Sequence, residues 1–324
     1  MRAAVTGATG FVGSHLVDAL LARGDQVSCL VRSPEKAAGL GRRSGCRLVP
    51  GSLDGAASLR TLVGGTDVVF HVAGAVTASD DRRFARVNRL GTEHLTQAMK
   101  EAGGRRLVYV SSLAVSGPSR RGAPLSETTV GEPVTAYGRS KLEGEEVVRA
   151  SRIPFTIVRP PSVYGPRDRN QFLPAFRLAR SGWAPVLGDG LQELSLIHVR
   201  DLAHALLAVS DSSHAEGRTY HAAHREVVTQ RQLFQAIGRA VGRQVRILPL
   251  PRPIVWALLY GVGTVADLTG NGTVLRPNKA AELLAPAWTC RSDLLEGDTG
   301  WAARVGLEEG LSQTARWYRE AGWL

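Results

Sequence analysis

Tyr137 and Lys141, in the run AYGRSKLE at 136–143, stand four residues apart. On a helix that spacing stacks both side chains on one face, one turn above the other. A phenol beside a fixed ammonium is a proton donor whose anion is stabilised. A free Tyr titrates near pH ~10, and a cation within a few ångströms pulls that value toward neutrality. General acid–base work at physiological pH needs that adjustment. Tyr and Lys at this spacing also occur on helices by chance. Of the 40 lysines and arginines here, however, only Lys36, Lys100, Lys141 and Lys279 are lysines. An ammonium is a point charge and a guanidinium a planar fork, so a lysine kept at 141 suggests work an arginine cannot do.

Such a pair needs something held against it, and the start of the chain offers a holder. Residues 2–6 read as a short buried strand, followed by Thr6-Gly-Ala-Thr-Gly-Phe-Val-Gly13. Ser14 to Ala22 then has the apolar spacing of a helix, ended by Gly24. Gly7 allows a tight turn out of the strand, Gly10 a close approach of backbone to a pyrophosphate, and Gly13 the packing of helix on strand. Free N–H groups and the helix dipole favour a phosphate at that helix start. Placed between a strand and a helix, the glycine trio points to a dinucleotide.

The next strand, Gln26 to Val31, ends at Arg32 with no acid before Glu35. A carboxylate there suits the ribose of NAD, whereas Arg suits a 2′-phosphate. The expected cofactor is therefore NADP, with NAD as the alternative and Arg32, with Lys36, as phosphate ligands.

Strand and helix signals continue to alternate: strand 47–49, helix 56–63, strand 67–72, a long helix 82–102, strand 106–111, helix 136–150 and strand 155–159. That order predicts an α/β fold with a doubly wound parallel sheet, and ligands at the carboxyl ends of its strands. Ser111 and Ser112 fall at one such end, where a hydroxyl can meet a substrate oxygen. Past residue 165 the pattern weakens. Helices are expected at 172–180, 200–209, 232–241 and 307–318, strands at 196–199 and 245–248, and an apolar helix with Trp256 and Tyr260 at 253–268. The expected division is a dinucleotide-binding domain at 1–165, rejoined by 194–225, and a smaller substrate lobe from 166–193 and 226–324.

At 324 residues the chain can bury a sizeable core. Cys29, Cys46 and Cys290 are odd in number and unclustered, which argues for a reducing compartment. His221 and His224 lack further ligands at metal spacing, so no metal is expected. The formal charge of +11 would suit nucleic acid or anionic lipid, but the arginines are spread and no basic tract is present. No nucleic-acid partner is expected. The opening residues read as strand and not as a leader, and cytoplasmic placement is expected.

The motifs together resemble the extended short-chain dehydrogenase/reductase family over almost the full length. The residues that carry this are TGATGFVG at 6–13, HVAG at 71–74, NRLGT at 88–92, YVSSLAVSG at 109–117, YGRSK at 137–141, RPPSVYGP at 159–166 and LSLIHVRDLAHA at 194–205, with EEGLSQTARWY at 308–318 also familial. The resemblance implies a Rossmann sheet and hydride transfer between a nicotinamide and a carbon bearing oxygen. It implies Tyr137 as acid/base, Lys141 as the group that lowers the tyrosine's pKa and binds the nicotinamide ribose, Ser112 (less so Ser111) polarising the carbonyl, and Asn88 propping the active-site helix. Phe11 and Val12 would lie along the pyrophosphate, with Gly7, Thr9, Gly10 and Gly13 of the same turn at the cofactor, Val72, Ala73 and Gly74 along the adenosine side, and Pro160 and Val163 near the nicotinamide, with Ser111 also at the cofactor. The family's acid for the adenine is here replaced in Gly51-Ser52-Leu53, leaving Ser52 and Leu53 as contacts; Asp54 reads as a helix cap.

Two branches of the family differ in substrate. Sugar-nucleotide enzymes tend to hold a diphosphate with Asn and Arg where this chain has Ser162 and Leu194. A buried diphosphate without its cation is costly. YVSSLAVSGP and LSLIHVRDLAHA are instead similar to the 3β-hydroxysteroid dehydrogenase and dihydroflavonol reductase branch. The expected substrate is thus a hydrophobic alcohol or ketone (sterol-, terpenoid- or polyketide-like). The 253–268 segment serves either as core or as a peripheral membrane contact, and a homodimer is compatible. The alternatives are a sugar epimerase or dehydratase, and a cofactor-binding regulatory protein without turnover.

Overall fold

Near-continuous apolar runs along the central strands let a parallel sheet be buried on both faces, since successive side chains point to opposite sides. The strands are β1 (Arg2–Thr6), β2 (Gln26–Val31), β3 (Cys46–Pro50), β4 (Val68–His71), β5 (Leu107–Val110), β6 (Phe155–Arg159), β7 (Ser162–Tyr164), β8 (Trp183–Leu187), β9 (Glu193–His198), β10 (Thr219–His221), β11 (Val227–Thr229), β12 (Arg246–Leu250) and β13 (Ala287–Trp288). The computed structural model describes residues 1–76, 81–251, 253–257 and 280–324. Seven strands form the central sheet in the order β10-β6-β5-β4-β1-β2-β3, every pairing parallel. On one face Ala3, Val5, Val27, Phe70, Val108 and Val158 pack with Leu16, Leu20, Leu202 and Leu206 of helices Phe11–Ala22 and Val199–Asp211. On the other, Ala4, Leu30, Val69, Tyr109 and Ile157 pack with Leu59, Leu95, Met99 and Val148. This is the doubly wound sheet expected from the strand and helix order.

β2, β6 and helices Ala56–Val63 and Ala136–Ala150 have the bounds their sequence patterns give. The long helix expected at 82–102 is interrupted. Asp81–Phe84 leads into a wider, π-type turn at Ala85–Leu90, and the α-helix resumes at Gly91–Glu101. Such turns break the regular ladder and mark functional sites often enough to draw attention to what they carry. Here the carried residue is Asn88.

A third cluster joins helices Leu173–Arg180, Gln230–Val241 and Leu307–Glu320 through Phe176, Ile237, Leu311 and Tyr318. Asp201 ties this part to the sheet side, since its Oδ2 accepts the backbone N–H groups of Arg304 and Val305. Of the apolar helix expected at 253–268, residues 253–257 are helical, with Ile254 and Trp256 exposed; the remainder, Tyr260 included, lies outside the described residues. Among the described residues no helix is long and apolar enough to cross a membrane.

Two expectations need correction. Cys29 and Cys46 are not scattered: β2 and β3 are neighbours, and the two sulfurs lie 3.8 Å apart as free thiols. Asp54 caps nothing. The cap position of helix Ala56–Val63 is Gly55, and Asp54 instead pairs with Arg86 at 3.0 Å.

Candidate active site

The glycine turn is shaped by contacts no side chain fits. Gly7 has φ +74°, and a Cβ there would lie 2.7 Å from the Ala73 nitrogen. A Cβ on Gly13 would sit 2.1 Å from the Gly7 carbonyl oxygen, so helix and strand touch through backbone alone. The helix Phe11–Ala22 starts with neither a side-chain cap nor an acid in its first turn. Thr9 and Gly10 are exposed and Phe11 and Val12 half-buried, which leaves N–H groups open to an anion.

A buried relay ties this turn to Asn88. Thr6 Oγ1 accepts the Ala73 N–H at 3.2 Å and meets His71 Nδ1 at 2.7 Å. His71 Nε2 meets Thr92 Oγ1 at 3.0 Å, and that hydroxyl donates to the Asn88 carbonyl at 2.7 Å. Only one arrangement of protons satisfies every group: His71 donates from Nε2 and accepts at Nδ1. Burial, with the Lys141 charge adding, pushes His71 down to about 3, so the ring stays neutral. Asn88 is buried, its side chain bonded to both backbone groups of Ala75 (2.8 and 3.1 Å) and to Ser140 Oγ (2.9 Å). Asn88 therefore fixes the segment after β4 to the helix that bears Tyr137.

Thr135 opens that helix, its hydroxyl accepting the Gly138 N–H at 3.1 Å. Gly144 lets the helix press in, because a Cβ there would meet the Tyr109 hydroxyl at 2.2 Å. Lys141 is buried, donates to the Val110 carbonyl at 2.7 Å and lies 4.2 Å from the centre of the Tyr109 ring. Burial lowers its pKa to about 7, against the pull of Glu145. Tyr137 lies against Phe84, ring centres 5.9 Å apart. Burial pushes its phenol up to about 12, opposed by a hydrogen bond with Ser112. The lowering by Lys141 that the spacing suggests is not found: burial sets the direction, and the ammonium is turned to the Val110 carbonyl and the Tyr109 ring. Of the two serines, Ser112 faces the phenol. Ser111 turns inward and donates to Glu145 Oε1 at 2.6 Å.

The family model for the NAD dependent epimerase/dehydratase family matches residues 3–223. The chain belongs to that family. Ceramide reductase of Caulobacter vibrioides is 34% identical over 322 residues, covering 99% of this chain and 95% of that one. The 4-hydroxy-2-methyl-3-oxo-4-farnesyl-3,4-dihydroquinoline-1-oxide ketoreductase of Stigmatella aurantiaca is 30% identical over 96% of this chain and 95% of its own. Among solved structures, the dTDP-glucose 4,6-dehydratase of Streptomyces venezuelae with NAD bound superposes with a TM-score of 0.81 at 26% identity, covering 100% and 98% of the two chains. The chain is accordingly an NAD(P)-dependent enzyme of the extended short-chain dehydrogenase/reductase type, and the reading as a binding protein without turnover falls away.

The remaining candidate cofactor contacts lie at the sheet's carboxyl edge. Arg32 is exposed at the end of β2 and has no hydrogen bond or ion pair among the described residues, so its guanidinium is available to a phosphate. Ser52 Oγ accepts the Asp54 N–H at 3.3 Å, and Leu53 packs on Gly91. Val72 and Ala73 are half-buried and Gly74 exposed just past β4. A Cβ on Gly74 would lie 3.3 Å from Asn88 Oδ1 and 3.8 Å from Lys141 Nζ, which places this segment beside the polar cluster. Pro160 accepts the Leu113 N–H at 2.8 Å, so it holds the Ser112 turn, and Val163 lies in β7 beside Ile197 of β9.

The sequence reading passed over Glu145, Arg159, Thr6 and Thr92. Glu145 was findable, since Tyr137, Lys141 and Glu145 form one stripe at intervals of four. The threonines stand inside the quoted motifs at 6–13 and 88–92, but their link through His71 joins positions 65 and 21 residues apart, which spacing does not express.

Proposed function

We propose that this enzyme interconverts a ketone and an alcohol on a hydrophobic, lipid-like substrate, with NADP as the preferred cofactor. Gly7, Gly10, Gly13 and the open start of helix Phe11–Ala22 would hold the pyrophosphate, Arg32 the 2′-phosphate, and Lys141 with Asn88 the nicotinamide end. When bound, the nicotinamide gives or takes the hydride. In the reducing direction Tyr137, protonated at neutral pH, gives its proton to the substrate oxygen, while the Ser112 hydroxyl hydrogen-bonds that same oxygen. In the oxidising direction the phenol takes the proton back. Lys141 places a positive charge at the base of the pair and Asn88 keeps the helix in register.

The observation that carries the substrate class is that two described positions where the family's sugar-nucleotide enzymes hold the diphosphate carry Ser162 and Leu194, neither of them a cation. Ser162 has its hydroxyl bound by Gln171 Nε2 at 2.9 Å, and Leu194 packs among apolar side chains. Phe84 adds an apolar ring against Tyr137. The ceramide and farnesyl-quinoline substrates of the two relatives accord with this. The likeness to a nucleotide-sugar dehydratase supports a second reading, a redox-neutral change on a sugar.

A panel of long-chain ketones, ketosteroids and nucleotide sugars, followed by nicotinamide absorbance and product analysis, separates the two. Net NADPH consumption with the apolar ketones is expected. Conversion of a nucleotide sugar with no net cofactor change would reject the proposal. For the cofactor, Arg32→Ala is expected to weaken NADP about 10-fold or more, since a hydrogen bond to a charged group is worth roughly 1.5–3 kcal/mol. NAD binding should change little. Fluorescence titration of both forms decides it, and equal weakening of the two would remove Arg32 from the phosphate site.

A further inference from the structure

One titratable group next to the proposed site takes no part in the chemistry above. Glu145 is fully buried, one turn beyond Lys141 on the same helix. Arg159, at the end of β6, grips it with both arms of its fork: Nε to Oε1 at 2.8 Å and Nη2 to Oε2 at 2.7 Å. Ser111 donates to Oε1 at 2.6 Å and Arg149 to Oε2 at 3.0 Å. Arg159 extends further, its Nη1 donating to Ser116 Oγ at 3.2 Å, which meets His221 Nε2 at 3.3 Å.

A charge taken wholly out of water is poor value for stability, because well-packed apolar residues of the same volume do as well or better. What the charge supplies here is direction. Lys141 binds the carbonyl of Val110, and Glu145 binds the side chain of the next residue, Ser111. Two successive turns of the helix thus stitch two successive residues at the end of β5, and the residue after them is Ser112. Charge-assisted bonds this short leave the strand end little freedom to slide along the helix. Ser112 and Tyr137, which must reach one substrate oxygen together, sit on the two parts so joined.

We propose that Glu145 is a positioning residue of the active site: through Ser111 and Arg159 it sets the distance between Ser112 and Tyr137, and its negative charge, one helical turn from Lys141, favours the charged form of that lysine. This rests on the reading of Ser112, Tyr137 and Lys141 as the reacting groups. Among the described residues the groups around Lys141 are His71 of β4, neutral; the Tyr109 ring and Val110 carbonyl of β5; Gly74 with the neutral amide of Asn88; and on its own helix the carboxylate of Glu145.

Glu145→Gln keeps the shape and removes the charge. With NADPH and an active ketone, kcat is expected to fall about 10- to 100-fold with KM within a few-fold, as misplacement of reacting groups does. A second readout does not need turnover. Nitrogen-15 spectra of lysine amines contain four side chains, assigned through Lys141→Arg, and the Lys141 midpoint should move to lower pH in Glu145→Gln. The neutral pair Glu145→Leu with Arg159→Met should regain wild-type melting temperature yet stay slow. Wild-type kcat in either variant, or an unmoved Lys141 midpoint in Glu145→Gln, would overturn the proposal. Failure of the wild type to turn over any ketone would instead reject the proposed function, while the lysine titration still decides the role of Glu145 toward Lys141.

Discussion

Tyr137→Phe is expected to lower kcat for carbonyl reduction by about 10³-fold, within the range of roughly 10²–10⁴ that a positioned acid supplies. The substitution removes one oxygen and leaves the ring, so the contact with Phe84 and the packing of helix Ala136–Ala150 survive. Thermal stability and cofactor affinity should therefore stay near wild type while turnover collapses. The same groups set the pH profile. Burial holds the phenol at about 12, so it is protonated throughout the neutral range and able to donate. Lys141, lowered to about 7 by burial, loses its charge as pH rises through that value. The sign follows: kcat/KM for reduction should be level on the acid side and fall above about 7. Stopped-flow traces of wild type and Tyr137→Phe across pH check both points. Unchanged turnover in Tyr137→Phe would remove the catalytic assignment as a whole.

That site was partly legible in the chain because its parts are local. Tyr137 and Lys141 share one helix, and Gly7, Gly10 and Gly13 share one turn. The central sheet was legible for a related reason: a parallel strand covered on both faces must be apolar through its middle, and Ala3–Val5 of β1, Val68–Phe70 of β4 and Leu107–Val110 of β5 are. What could not be read depends on elements distant in sequence. The two thiols of β2 and β3 meet because those strands are neighbours. Asp54 is drawn from a cap to Arg86 by the approach of the π-type turn. That turn itself exists where Asn88 must satisfy Ala75 and Ser140 at once, a demand no helix propensity expresses. The titration of Tyr137 shows the same limit. Spacing suggests a cation that lowers the phenol, but in the fold burial raises it and the ammonium is turned to Val110 and Tyr109.

The second large effect is expected at Gly13, where the reading of a sequence motif and the geometry can be tested against each other. Gly13→Ala adds one methyl group, small enough to be neutral or helpful at an open helical site, where alanine is the better helix former. Here the added carbon would lie 2.1 Å from the Gly7 oxygen and 2.7 Å from the Gly7 carbonyl carbon, atoms of backbone with no rotamer to turn. The loop must move. That carbonyl also accepts the Gly10 N–H at 2.9 Å, so displacing it opens the turn proposed to hold the pyrophosphate. Overpacking of this kind costs about 1–3 kcal/mol in stability. Cofactor affinity should drop at least 100-fold, which is about 2.8 kcal/mol at 1.4 kcal/mol per tenfold. Gly39→Ala serves as the control, since a Cβ there meets nothing within 4 Å. Melting curves with and without NADPH, and fluorescence titration, should find the control unchanged and Gly13→Ala both less stable and deaf to cofactor. If Gly13→Ala bound NADPH as tightly as the wild type, the turn after β1 would not be where the dinucleotide sits, because no arrangement of backbone around that methyl preserves both the helix start and the Gly7–Gly10 bond.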